Sequence, residues 1–76
     1  MKKSNAIGKK GITINSIDPG PVDTGWMSSE LKNNLENISP FGRVGLPSDV
    51  ASLAVFLASA ESQWITGQVL KSRGGL

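Results

Sequence analysis

Residues 46–62, LPSDVASLAVFLASAES, constrain the fold more than any other part of this sequence. Pro47 suits a first helical position and Asp49 lies in the first turn, so both mark the start of a helix. Residues 50–58 are apolar on almost every side of that helix. Such a helix needs other structure on more than one of its faces. We therefore expect this helix to pack against further elements, either from the rest of a larger domain or from another copy.

A short strand precedes this helix. In residues 11–17, GITINSI, apolar and polar side chains alternate and β-branched residues are frequent, which is typical of a strand. Pro19, Gly20 and Pro21 end the strand, because proline cannot donate to a ladder and glycine reaches backbone angles closed to other residues.

A second, amphipathic helix is predicted between the strand and the apolar helix. Four apolar residues have the spacing of one helical face: Met27, Leu31, Leu35 and Ile38. Four polar residues point away from that face: Lys32, Asn33, Glu36 and Asn37. Ser28 or Ser29 can cap the helix, Glu30 suits the positive end of its dipole, and Ser39-Pro40 ends it.

Residues 68–71 form a plausible final strand, so the predicted order is strand, helix, helix, strand. A strand joined through helices to a second strand is a right-handed crossover with parallel strands, which places the chain in the α/β class. Parallel strands are normally covered by helices on both faces. Two strands and two helices cannot provide that cover, so this β-α-α-β unit is predicted to be an incomplete domain.

Length, charge and composition exclude several classes of protein. The chain has 76 residues, no cysteine and a net charge of +2, with four lysines in residues 1–10, which we predict to be a basic, frayed start before the partial domain of residues 11–76. The lysine-rich start has no interleaved aromatic residue, which argues against nucleic-acid binding. No stretch has the length of a membrane span or the apolar core of a secretion signal. A cytoplasmic protein is expected, since disulfides are also absent.

The side chains available for chemistry are few. Histidine, cysteine and tyrosine are all absent, which removes the commonest general base, the thiolate nucleophile and the phenolic acid. The carboxylates form no cluster with metal-ligand spacing, so no metal site is predicted. Neither a GxGxxG nor a GxxxxGK[ST] phosphate loop occurs. No catalytic residue is assigned.

The loop after the first strand is the candidate binding site. Ligands of doubly wound sheets bind outside the carboxyl ends of the strands, and residues 18–24 occupy that place. Gly20 would allow close approach of the backbone, Val22 offers an N–H group and Thr24 offers a hydroxyl. The alternative is an ordinary rigid turn after a strand.

Three segments resemble the short-chain dehydrogenase/reductase family: GITINSIDPGPVDTGW, PFGRVGLPSDVASLAVFLAS and SQWITGQVLKSRGG. Their order and spacing match the carboxyl-terminal third of that family, whose fold is a Rossmann-like doubly wound parallel sheet. The resemblance implies NAD or NADP as cofactor. It also implies that Pro19 and Gly20 shape the nicotinamide-side loop, that the Val22 backbone meets the carboxamide, and that the Thr24 hydroxyl reaches the carboxamide or a phosphate.

The same resemblance implies that residues 28–38 cover the substrate, with Trp26 and Met27 at the hinge side. A packing stripe of Trp26, Met27 and Leu31 is the alternative.

The sequence departs from the family pattern in its motifs and in the charge of two residues. The family's glycine-rich loop and its Tyr-x-x-x-Lys pair with a serine are not among these residues. Asp18 stands where a small or amide residue is expected, and its carboxylate would be unfavourable near cofactor phosphates unless it points away. Arg73 stands where the pattern V-D-G-G has an acid, so any ion pair made by that acid is lost or reversed.

Three hypotheses follow from these observations. The chain is a truncated or remnant member of the family that is not catalytic alone. Alternatively, it is an interaction module that pairs with itself, as a homo-oligomer, or with a full-length relative. The third is one half of a split oxidoreductase whose other half is encoded separately. The sequence predicts neither a nucleic-acid partner nor a membrane partner.

Overall fold

The computed structural model describes residues 8–76. Its elements follow the predicted order, strand, helix, helix, strand: β1 (Ser16–Asp18), α1 (Ser29–Ile38), α2 (Pro47–Leu57), a 3₁₀ turn (Ala60–Ser62) and β2 (Val69–Lys71). Most of the predicted frayed start, residues 1–10, lies outside the described residues, and residues 8–10 are exposed.

The two strands pair in parallel, as predicted, with Ile17 opposite Leu70. Both strands are shorter than predicted, and β1 begins at Ser16 rather than near residue 11. Before β1, the Ile14 carbonyl still accepts from the Gly67 N–H at 2.7 Å, but the other hydrogen bonds across the gap use side chains. The Ile14 N–H donates to Thr66 Oγ1 at 3.1 Å, and the Asn15 amide oxygen accepts from a backbone N–H across the gap at 3.1 Å. Because these side chains take the place of ladder partners, the regular pairing starts later.

Helix α1 begins at the predicted cap. Ser28 Oγ accepts a hydrogen bond from the Leu31 N–H at 3.1 Å, which satisfies one of the free donors at the helix start. Leu31 and Leu35 are half-buried, as is Met27 just before the helix.

Two predictions for the faces of α1 are wrong. Ile38, predicted on the apolar face, is 66% exposed, because it is the last residue before the chain leaves the helix. Glu36, predicted on the solvated face, is half-buried. The 3.6-residue period places side chains on faces of a helix but does not say where neighbouring segments cover those faces.

Helix α2 begins at Pro47, as predicted. Asp49 Oδ2 accepts from the Leu46 N–H at 2.8 Å, and the Leu46 carbonyl accepts from the Asp49 N–H at 2.9 Å, which fixes the first turn. The helix ends at Leu57, before the end of the predicted segment. Ser62, only 2% exposed, donates its hydroxyl to the Leu57 carbonyl at 2.8 Å and so satisfies one of the last carbonyls of the helix.

The described residues bury little apolar surface. Val44 is their one buried hydrophobic side chain, at 5% exposure, whereas Val55, Phe41 and Trp64 are 70%, 74% and 99% exposed. The radius of gyration is 15.5 Å, against about 11 Å for a compact domain of this length. The arrangement is therefore open, with apolar faces uncovered. Among residues 8–76, no helix has the length and apolar character that crossing a bilayer requires.

Candidate functional site

The loop that leaves β1 turns sharply at Gly20. Its backbone has φ +63°, a conformation that glycine adopts without steric cost. The Gly20 N–H donates to Asp18 Oδ1 at 3.3 Å, so the aspartate side chain closes the turn across Pro19. The predicted break after β1 is thus a turn with its own side-chain hydrogen bond.

The two residues that depart from the family pattern contact each other. Arg73 Nη1 donates to both carboxylate oxygens of Asp18, at 3.1 and 3.2 Å, and the two side chains are about one-third exposed (34% and 36%). The Arg73 stem lies against the turn, since a Cβ added to Gly20 would sit 3.0 Å from Arg73 Cγ. Arg73 Nε also donates to the Leu76 carbonyl at 3.1 Å.

This contact changes two of the expectations from sequence. The Asp18 carboxylate is turned onto Arg73, so its charge is balanced within the chain. The side of Gly20 that lacks a Cβ faces Arg73. The close approach that glycine permits here is therefore the approach of the Arg73 side chain.

The next part of the loop pairs with the segment before α2. Val22 and Gly45 form a parallel bridge, in which the Asp23 N–H donates to the Gly45 carbonyl at 2.9 Å and the Gly45 N–H donates to the Pro21 carbonyl at 3.3 Å. The buried Val44 precedes Gly45. The loop is thus held at both ends, by β2 through Arg73 and by the bridge.

The two groups predicted to contact the carboxamide are the Val22 N–H and the Thr24 hydroxyl. The bridge uses the Pro21 carbonyl and the Asp23 N–H, and among residues 8–76 the Val22 N–H donates no hydrogen bond. The Val22 carbonyl accepts from Trp26 Nε1 at 3.0 Å. Thr24 is exposed. A free backbone donor followed by an exposed hydroxyl fits a carboxamide, which both donates and accepts hydrogen bonds.

A cavity of about 220 Å³ opens beside the loop. It brings together two of the four predicted site residues, Pro19 and Val22, but neither Gly20 nor Thr24 lines it. The remaining lining comes from the segment before α2, the start of α2 and the carboxyl end of the chain: Phe41, Arg43, Val44, Gly45, Asp49, Val50, Ser72, Arg73, Gly74 and Leu76.

An ion pair stands at the side of this cavity that is nearest α2. Arg43 Nη1 and Nη2 donate to the two carboxylate oxygens of Asp49 at 2.7 and 3.0 Å, a bidentate geometry. Hydrogen bonds from Arg43 first, and from the Leu46 N–H second, lower the pKa of Asp49 to about 2. The bond to Asp49 raises the pKa of Arg43 above its ordinary value.

Sequence reasoning missed both arginine pairs. Arg43 and Asp49 are six residues apart on either side of a helix start, and Asp18 and Arg73 are 55 residues apart. The sequence contains one signal for the Asp18–Arg73 pair, which is that both residues change the charge of the family pattern. Asp18 replaces a small or amide residue, and Arg73 replaces an acid.

Comparison with known proteins decides the family. The family described as enoyl-(acyl carrier protein) reductase matches residues 3–76. The chain belongs to the short-chain dehydrogenase/reductase family. The uncharacterized oxidoreductase YjdA of Bacillus subtilis is 47% identical over 72 residues, which cover 95% of this chain and 29% of YjdA.

Solved structures of the short-chain dehydrogenase/reductase family have the same arrangement of elements. Angucycline C-6 ketoreductase LanV with bound NADP is 36% identical, with a TM-score of 0.85 over 97% of this chain and 30% of LanV. A 3-oxoacyl-[acyl-carrier protein] reductase from Brucella melitensis with bound NAD is 32% identical, with a TM-score of 0.84 over 99% of this chain and 28% of that reductase. These neighbours are Rossmann-fold reductases, and this chain has the corresponding parallel strands and helices.

The chain spans about 30% of the length of the curated relatives it matches, 29% of one and 31% of another. What these relatives do as whole proteins is therefore a matter for proposal here.

Proposed function

We propose that these residues form the carboxyl-terminal β-α-α-β part of a doubly wound sheet in an oxidoreductase, and that they supply the nicotinamide-side wall of its NAD or NADP site. The observation that carries the proposal is the loop of residues 18–24. It leaves the carboxyl end of a parallel strand, where ligands of such sheets bind. It is also held in one shape by Arg73 and by the bridge to Gly45.

Each of the four proposed cofactor residues has a role in this wall. Pro19 and Gly20 shape the turn, the Val22 N–H is free to meet the carboxamide, and Thr24, which would offer its hydroxyl, is exposed in the same loop. Helix α1 follows the loop directly and would cover the substrate.

Bound nicotinamide supplies the hydride in such a reaction. The reacting oxygen also needs a proton, and in this family a tyrosine beside a lysine delivers it. The 76 residues include no tyrosine, histidine or cysteine. We therefore propose that this polypeptide is not catalytic alone. Its place in the cytoplasm also stays a prediction.

Ligand-observed NMR tests the cofactor wall. With millimolar NADP⁺ or NAD⁺ and the 76-residue chain, saturation transfer is expected to be stronger on the nicotinamide protons than on the adenine protons, because only the nicotinamide side of the site is formed here. Thr24→Val should weaken binding by about two- to tenfold, the range of one hydrogen bond. Thr13→Val, in the segment before β1, is the matched control. Transfer mainly to adenine, or equal effects of the two variants, would contradict the proposal.

An activity assay tests the absence of catalysis. The purified chain is mixed with NADPH or NADH and with carbonyl substrates, and oxidation of the reduced cofactor is followed by absorbance at 340 nm, a property of the cofactor. We expect no turnover above buffer. Enzyme-like reduction, with host reductases excluded by a mock purification, would overturn this proposal.

A second candidate function is an interaction module, which pairs with a second copy or with a full-length relative; one half of a split oxidoreductase remains the third hypothesis. The support for the interaction module is the exposure of large apolar side chains in the last third of the chain, including Val55, Trp64 and Val69 at 70%, 99% and 68%. Light scattering during size exclusion tests self-association. A folded monomer across the accessible concentration range would contradict the homo-oligomer.

A further inference from the structure

We infer that Arg73 and Asp18 are a pair of positioning residues, which fix the loop carrying Val22 and Thr24 by clamping its Gly20 turn onto the end of β2. The consequence for cofactor binding rests on the proposed nicotinamide wall. The clamp itself rests on the contacts between these side chains.

Three contacts converge on the turn. Asp18 Oδ1 accepts from both the Gly20 N–H, at 3.3 Å, and Arg73 Nη1, at 3.1 Å, so one oxygen joins the loop backbone to the guanidinium. The Arg73 stem fills the space in which a side chain at position 20 would stand, 3.0 to 3.2 Å from its Cβ. Arg73 Nε is held by the Leu76 carbonyl at 3.1 Å. The Arg73 guanidinium therefore donates to the Leu76 carbonyl through Nε and to the Asp18 carboxylate at the turn through Nη1.

The backbone supports the same clamp. The Ser72 N–H donates to the Asp18 carbonyl at 2.9 Å, one step beyond the strand register. Main-chain and side-chain bonds therefore tie the first residue of the loop to the same end of β2. A lysine at position 73 would keep the charge but could not make the Nε bond and the Nη1 bonds together, because its three donors share one nitrogen.

The clamp should also position the candidate carboxamide contacts, because Val22 and Thr24 belong to the same loop. Beyond the turn, the Val22 carbonyl accepts from Trp26 Nε1 at 3.0 Å. If the clamp holds the loop, its loss should loosen this bond, and the Trp26 indole proton then reports the shape of the loop without any cofactor. The chain has two tryptophans, and Trp64 is 99% exposed, so Trp64→Phe leaves a single indole signal at little structural cost.

The first measurement uses no cofactor. In the Trp64→Phe background, solvent exchange of the Trp26 indole proton is measured by NMR in Asp18→Asn, Arg73→Gln and the charge-reversed Asp18→Arg/Arg73→Asp. Each single variant should raise the exchange rate by about threefold or more, in the range of a partly exposed charge pair. Charge reversal restores the attraction but neither the acceptor of the Gly20 N–H nor the Nε bond to the Leu76 carbonyl, so it should leave most of the increase in place.

Lys71→Gln is the matched control, because Lys71 lies opposite Asp18 in the strand register but its exposed side chain makes no ion pair among residues 8–76. The variant therefore removes the same charge near the same carboxylate without removing a contact. It should leave the exchange rate unchanged. Equal exchange rates in the original chain, Asp18→Asn and Arg73→Gln would overturn the inference. So would an increase of the same size in Lys71→Gln.

The second measurement adds NADP⁺ and separates the two proposals. Altered indole exchange without any nicotinamide saturation transfer in the original chain would sustain the clamp and reject the cofactor wall. Nicotinamide transfer that is equally strong in Arg73→Gln, with unchanged indole exchange, would sustain the wall and reject the clamp.

If a variant loses its helical circular dichroism, the variants are compared in a chimera in which residues 11–76 replace the matching stretch of the Brucella melitensis reductase. There Arg73→Gln should weaken NAD binding by about threefold or more and Lys71→Gln should not, and equal NAD affinities would overturn the inference.

Discussion

The carboxyl ends of the two strands and the outer surface of α2 differ in whether their side chains find partners within the chain. At the strand ends, charged and backbone groups find partners within the chain, as in the Asp18–Arg73 pair and the Val22–Gly45 bridge. On α2, Val55 is 70% exposed and Phe56 is 41% exposed. The loop is thus specified by contacts among these residues, whereas the apolar helix is left for other structure to cover.

The contrast explains how a small part of an α/β sheet can keep a defined loop at the carboxyl ends of its strands. Turns, ion pairs and a bridge act over a few residues and need no large core. Apolar helices need area, which parallel sheets normally receive from helices on both faces. If the two regions are independent, a substitution in one should leave the contacts of the other unchanged.

The largest effect is expected at Val44, the buried side chain beside the bridge. Val44→Asp would place an unpaired carboxylate there and should destabilise the fold by about 3 kcal/mol or more, which removes a cooperative unfolding transition. Urea unfolding followed by circular dichroism measures this. Val55→Asp is the control, because an exposed charge on α2 should change the free energy of unfolding little. A larger loss in Val55→Asp would show that α2 is the better covered region.

The next effect concerns the Gly20 turn. Gly20→Ala combines a positive φ of +63° with a Cβ only 3.0 Å from Arg73, and we expect a loss of roughly 2 kcal/mol. Gly67→Ala has a similar φ of +70° with open space around the new Cβ, so it isolates the backbone cost, about 1 kcal/mol. Adding Arg73→Ala should reduce the cost of Gly20→Ala toward that of Gly67→Ala. An unchanged cost would mean that Arg73 does not press on the turn.

A smaller effect is expected at the end of α2. Ser62→Ala removes the buried hydroxyl whose hydrogen bond the Leu57 carbonyl accepts, and it should destabilise the chain by roughly 1 to 2 kcal/mol, because a partly buried acceptor loses its partner. Ser52→Ala also removes a hydroxyl bond, to the Ser48 carbonyl, but at an exposed site within the helix. Its effect should be near zero, since alanine favours the helix. Equal losses in urea unfolding would contradict the assigned role of Ser62.

Local signals predicted much of the fold. Ser28 caps α1 and Pro47 starts α2, since caps and proline act on the residues next to them. The parallel pairing also followed from the order of elements. The start of β1 could not be predicted, because it depends on side-chain bonds to a segment about 50 residues away: the Ile14 N–H donates to Thr66 Oγ1, and the Asn15 side-chain amide donates to the Ile65 carbonyl.

The position of the loop after β1 was predicted from the sequence, but the contacts that hold the loop were not. The loop containing Pro19, Gly20, Val22 and Thr24 follows from the strand ending and the family resemblance. The clamp by Arg73 depends on a contact over 55 residues, which no local pattern encodes. In the sequence, Asp18 and Arg73 are two separate departures from the family pattern. Read as a pair, they have a shared structural role.

The smallest effect is expected from acid, and it tests the Arg43–Asp49 pair at the start of α2. The pKa of Asp49 is lowered from its ordinary 3.8 to about 2 in the folded chain. A lowered carboxyl pKa stabilises the fold above the unfolded value, and this contribution is lost as the pH falls through 3.8 toward 2. Arg43 stays protonated throughout, so the change belongs to the carboxylate.

Urea midpoints between pH 5 and pH 2 measure this contribution. The original chain should lose stability over that range, and Asp49→Asn should lose less, because its amide does not titrate. The pair is partly exposed, with 54% and 36% of the two side chains accessible, so solvent screens it and the difference should be small. Parallel pH profiles for the two proteins would show that the start of α2, like its outer surface, gains little from contacts within the chain. A clear divergence below pH 4 would instead show that the first turn of α2, like the strand ends, is stabilised by an ion pair within the chain.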